Sequence, residues 1–235
     1  MVKVILAILF SIVCQISQGQ NYMVKYQNTS SGGDIKTLLQ VSDSISTFHL
    51  IPDGLIKGTE GQFFFMNINR SVLYQTENFK NLIFYVADSL YPMKWELLTD
   101  TSLILKKKCL AAKTNFRGRK YIAYYAPSIP IASGPWKFGG LPGLILSLKA
   151  EDNYIKWEAI ELVENYSGEI NVPDVSRIKF INWDEFIIKY KESFEKLKKQ
   201  TRSDGSMPPG STITLRMERT EIIYPELSTG KGITF

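Results

Sequence analysis

The sequence predicts an α+β protein that is mainly antiparallel β, with a curved sheet or half-open barrel packed around one long C-terminal helix. Two patterns carry this expectation. Short runs rich in β-branched and aromatic residues alternate with turn-like breaks from residue 21 to residue 126, the spacing of a meander. Near the C-terminus a single stretch instead repeats its apolar residues with helical period.

In order along the chain, "NYMVKYQ" reads as a strand and "NTSSGGD" as a loop, and "KTLLQVSDSISTFHLI" as one or two strands. "PDGLIKGTEG" is a turn-rich connection, followed by the short runs "QFFFMNI", "SVLYQTE" and "NLIFYVA". Beyond them residues 99–101 read as a hairpin turn and "RGRK" as another. "YIKWEAIELVE" alternates at Ile155, Trp157 and Ala159, then shifts phase to Ile160 and Leu162, as a β-bulge would produce. Trp183, Phe186, Ile187, Tyr190, Phe194 and Leu197 form one stripe of an amphipathic helix over about residues 182–202. Asn182 and Glu185 resemble a capping pair at its start. Residues 203–211 read as a loop, and "TITLRMERTEII" returns to period two, with Ile213, Leu215 and Met217 on one face.

Composition narrows the function classes. The 235 residues carry 44% apolar and 22% charged residues, ordinary globular values that suit one domain over residues 20–235. The net charge of +5 is scattered rather than gathered into a basic face, which argues against nucleic-acid binding. Residues 1–19 read as a signal peptide: Lys3, an apolar run over residues 4–13, then Ser17 and Gly19 at the small-residue positions. Cleavage after Gly19 and a periplasmic or secreted destination are expected. Lipidation at Cys14 is the alternative, disfavoured by the bulky Val13 before it. No later segment has the length of a membrane span. Cys109 would then be the single cysteine of the mature chain, with no partner for an internal disulfide.

Catalytic signatures are sparse. His49 is the only histidine, no Gly-x-Ser-x-Gly elbow is present, and no carboxylate pair has a spacing that nominates a glycosidase. Neither a catalytic residue nor a metal or other cofactor is nominated. "GGLPG" lacks the Gly-Lys-Ser/Thr ending of a phosphate loop and leads into a strand rather than a helix. Cys109 reads as a small buried hydrophobe. The alternative is a metal or redox centre on Cys109, with Met23, Met66 or Met217 as soft ligands. A hydrolase using carboxylates that the sequence does not single out is a third reading.

The glycine- and proline-rich stretch "GPWKFGGLPGLILSL" is the most distinctive feature. Its prolines favour extended backbone before them, and Gly139, Gly140 and Gly143 permit positive φ or close approach. Leu144, Leu146 and Leu148 then face the core. The stretch reads either as a corner that lets the sheet curl or as a rim. In the rim reading Trp136, Phe138 and Leu141, with Arg117 and Arg119 nearby, meet a ligand.

"RGRKYIAYYAPSIPIASGPWKFGGLPGLIL" resembles the GLPGLI family, named for the motif that stands here as Gly140, Leu141, Pro142, Gly143, Leu144 and Ile145. The resemblance is strongest over residues 108–148. It implies an exported protein of Gram-negative bacteria rich in TonB-dependent transport, and it implies no particular activity. Combined with the sparse catalytic signatures, it predicts a non-enzymatic binding or accessory protein. An envelope protein or TonB-dependent transport system would be the partner, and an apolar molecule or peptide the ligand.

Overall fold

The computed structural model describes residues 20–30, 32–51, 63–90, 93–203, 214–215, 220–223 and 233–234. The expected signal peptide with Cys14, the 203–211 loop beyond Ser203, Ile213 and Met217 therefore lie outside the described residues, as does all of "PDGLIKGTEG". The first eleven strands are β1 (Tyr22–Ser30), β2 (Gly33–Val41), β3 (Ile45–Ile51), β4 (Phe64–Asn67), β5 (Val72–Phe79), β6 (Leu82–Ser89), β7 (Glu96–Ile104), β8 (Lys107–Phe116), β9 (Arg119–Ala126), β10 (Leu144–Ala150) and β11 (Ile155–Glu164). The short β12 (Ile181–Asn182) runs directly into helix α1 (Trp183–Ser203), and β13 (Thr214–Leu215) pairs with β14 (Ile233–Thr234) as a separate ribbon.

Twelve strands form one open sheet in the order β12-β6-β5-β4-β3-β2-β1-β11-β10-β9-β8-β7. Every pairing is antiparallel except β12 with β6. The predicted class, an open, mainly antiparallel sheet with one C-terminal helix, is the one observed. No helix of the described residues is long and apolar enough to cross a membrane.

Period-two patterning places one face of the sheet on a large core. Tyr22, Val24 and Tyr26 of β1 point to the same side as their cross-strand partners Val41, Leu39 and Thr37, and all six are buried. The predicted bulge in β11 is present: Lys25 pairs with Glu161 and Tyr26 with Ala159, so Ile160 is the extra residue and turns outward.

Three details differ from expectation. Residues 99–101 lie inside β7, where the register with β8 shifts between Leu97 and Thr101. The turn is instead made by Leu105 and Lys106, both at positive φ (47° and 62°). A primed turn matches the strand twist, and here it overrides the poor turn propensity of both residues. The second difference is in "NTSSGGD", which is mostly strand, since β1 runs to Ser30 and β2 begins at Gly33. The third is in β10, which is buried on both faces from Leu144 to Leu148 and bulged between Ile145 and Ser147.

Helix α1 begins where Asn182 Oδ1 accepts the Glu185 backbone N–H at 2.8 Å, the cap the sequence suggests. Its predicted stripe is its buried face. Phe186, Tyr190 and Phe194 form a second core with Phe79 and Val86, and Trp183, Ile187 and Leu197 pack at the margin. Full burial of each such aromatic contributes about 1.5–3 kcal/mol. The helix thus covers the β5–β6 end of the sheet.

Candidate functional site

Between β9 and β10, residues 127–143 form a corner tied by several backbone hydrogen bonds. Ser133 bridges Gly139, Ile145 N–H donates to Ser133 O at 2.9 Å, and Gly140 N–H donates to Ala132 O at 3.0 Å. Two glycines permit this closeness. A Cβ on Gly134 would stand 2.7 Å from Ile145 Cβ, and one on Gly143 would stand 2.7 Å from the Ala126 carbonyl carbon. The buried Tyr26 hydroxyl donates to Ile145 O at 2.6 Å, tying the corner to β1.

The orientation of the corner's aromatics is inward. Phe138 is 2% exposed and contacts the rings of Tyr121, Phe116, Trp136 and Trp95 at centroid distances of 4.6–6.2 Å. Trp136, at φ 55°, is half-buried and stacks on Trp157 with centroids 5.7 Å apart. Leu141 is buried in the same core. Trp95 Nε1–H donates to Gly139 O at 2.9 Å and closes the far side.

Between these two aromatics, Lys137 turns into a cluster of charges. Its ammonium is fully buried and lies 3.0 Å from Glu77 Oε1 and 2.8 Å from Glu221 Oε2. The other oxygen of Glu221 accepts from Arg117, whose second guanidinium nitrogen bonds both oxygens of Asp88 at 2.6 and 2.7 Å. The Trp183 ring lies 3.4 Å under the Arg117 guanidinium and 4.8 Å from the Lys137 ammonium. Arg119, at the same β8–β9 turn, pairs with Asp152, covers Tyr154 and donates to Thr220 O at 3.3 Å. Burial raises the Tyr121 phenol well above its usual range, and its hydroxyl also donates to Thr220 O, at 3.1 Å.

Beside this cluster lies a pocket of about 250 Å³. Met66, Ile68, Phe138 and Trp136 supply its apolar walls and Ser46, Ser71 and Ser133 its hydroxyls, and Lys137 is the one charged residue among the described lining. Gln75, fully buried and cross-strand from Phe64, has no hydrogen-bond partner on either amide atom among the described residues. Unpaired buried groups cost about 1–3 kcal/mol each.

Of the residues expected to bind, Trp136, Phe138, Arg117 and Arg119 are thus gathered around one corner, and Leu141 lies in the core beneath it. Lys137, Glu77, Asp88, Glu221 and Trp183 escaped sequence reasoning. A signal existed for two of them: Glu77 is in phase with Leu73 and Phe79, and Asp88 with Val86, so both were readable as inward-facing carboxylates.

Elsewhere, Cys109 is buried, and burial pushes its thiol pKa up, which lowers its nucleophilicity and ligand character at neutral pH. His49 is half-buried on β3, and burial lowers its pKa. Among the described residues no three His, Cys, Asp or Glu side chains are grouped to hold a metal ion.

A family model described as a protein of unknown function (Porph_ging) matches residues 106–147, a span from the β7–β8 turn through the corner into β10. No curated protein matches the chain. Among solved structures the chain is similar to PNGF-II in its C2 crystal form, with TM-score 0.53 and 17% identity over 86% of this chain and 35% of that one. It is likewise similar to PNGF-II in its P21 form, with TM-score 0.53 and 14% identity over 85% of this chain and 42% of that one. The chain therefore spans less than half of those chains, and at such identity the likeness is one of fold.

Proposed function

We propose that this chain is an exported, non-enzymatic binding protein whose ligand occupies the pocket under the glycine-rich corner. The observation that supports this is the make-up of the pocket among the described residues: mostly apolar walls, three serine hydroxyls and one charged lining residue, Lys137. Ligand sites combine such walls with a few fixed polar groups.

The corner is read as a GLPGLI motif, and export follows from the signal-like residues 1–19. The same resemblance suggests an envelope protein or TonB-dependent transport system as partner. Native mass spectrometry of the protein isolated from its own envelope, alongside affinity capture from that envelope, tests the reading. A small molecule or a specific partner is expected with the purified protein, and recovery of neither contradicts it.

A further inference from the structure

Among the described residues, the charge cluster beside the pocket holds three carboxylates against two cations. Asp88 on β6 already takes Arg117 through both oxygens, and Glu77 on the neighbouring β5 already takes Lys137. Both partners are supplied by the sheet itself. Glu221 is the additional carboxylate, and it arrives on a different piece of chain. The 220–223 segment attaches through the Ile222 N–H to Arg117 O at 3.1 Å and through Thr220 O to Arg119 and Tyr121.

Neutralisation does not require Glu221. Burying a carboxylate is costly unless strong donors await it, and here they do. One oxygen meets Arg117 and the other meets the Lys137 ammonium, with both cations held over the Trp183 ring. Five fixed groups thus define a place shaped for one carboxylate: two donors, their two sheet-borne counter-ions and an aromatic floor. Lys137 also lines the pocket, so this place adjoins apolar walls of about 250 Å³.

We infer that Lys137 and Arg117 form a carboxylate-binding site, that Glu221 fills it in the closed state, and that the ligand is an apolar carboxylate. Its acid group replaces Glu221 and its hydrocarbon lies against Met66, Ile68, Phe138 and Trp136. Exchange of one carboxylate for another leaves the charge of the cluster unchanged, so the 220–223 segment acts as an internal competitor. This rests on the pocket being the ligand site and adds the ligand's chemical class and its regulation.

The test uses Glu221→Ala, which empties the place while keeping both cations. Thermal unfolding is followed with sodium hexanoate, and with sodium chloride and hexan-1-ol as controls. Hexanoate is expected to raise the midpoint of Glu221→Ala at a half-saturating concentration at least about tenfold below that of wild type, because the competitor is gone. Neither control should do so, and Lys137→Met/Glu221→Ala should lose the response. If Glu221→Ala does not fold alone, recovery of folding with hexanoate supports the inference, and failure to recover overturns it. Folded Glu221→Ala that ignores hexanoate, or answers chloride equally, also overturns it. In that case a molecule carried from the envelope by wild type would still uphold the pocket as a binding site.

Discussion

Replacing Lys137 by Met tests whether the corner is held by buried charge. The side chain is fully buried and lies within 3.0 Å of carboxylate oxygens of Glu77 and Glu221. Methionine has nearly the same length, so the cavity term is small and the loss is electrostatic. Both carboxylates lose a partner in a site that water does not reach, and breaking a buried pair from one side costs about 3–5 kcal/mol. With a urea slope of about 2 kcal/mol per M, the unfolding midpoint falls by about 1.5–2.5 M. Trp136 and Trp183 flank the ammonium, so tryptophan fluorescence reports the transition. Adding Glu221→Gln removes one stranded charge. The double variant should then be more stable than the sum of the single effects by about 1–3 kcal/mol. A Lys137→Met loss below about 1 kcal/mol, or strict additivity, refutes the reasoning.

Four further outcomes follow from the geometry. Gly143→Ala drives a methyl group into the Ala126 carbonyl, where only backbone can yield; a loss of at least about 2 kcal/mol is expected by urea denaturation, and a neutral result contradicts the close approach. Asn182→Ala removes the helix cap and should cost about 1 kcal/mol, read by the same method. Cys109 should react with a thiol reagent only as fast as the protein unfolds, whereas prompt labelling of the folded chain contradicts its burial. His49 has a folded pKa below its unfolded value of about 6.5, so between the two values the unfolded chain binds more protons. Stability should therefore rise with pH through that window, and His49→Gln should flatten the rise there.

The sequence reported its periodicities faithfully. The helical stripe from Trp183 to Leu197, the Asn182 cap and the bulge at Ile160 were legible because each is a local rule with one dominant solution. The β7–β8 turn was not: Leu105 and Lys106 carry no turn signature, while the Thr-Asp-Thr run inside β7 mimics one. At the corner, glycine and proline spacing showed that a bend occurs but not which way Trp136 and Phe138 point. That direction depends on Trp95, Tyr121 and Trp157, which arrive from other strands. The charge cluster was the least legible, because Glu77, Asp88, Arg117, Lys137 and Glu221 come from five separate places in the chain.

Ala132 is exposed at the rim of the pocket, so Ala132→Trp should fill the mouth without entering the core. Native mass spectrometry of wild type and this variant, each isolated from the same envelope, tests the binding account most directly. The account predicts a bound small molecule on wild type that is absent from, or strongly reduced on, a variant that unfolds normally. Equal occupancy of the two proteins, or an empty wild type, would contradict it.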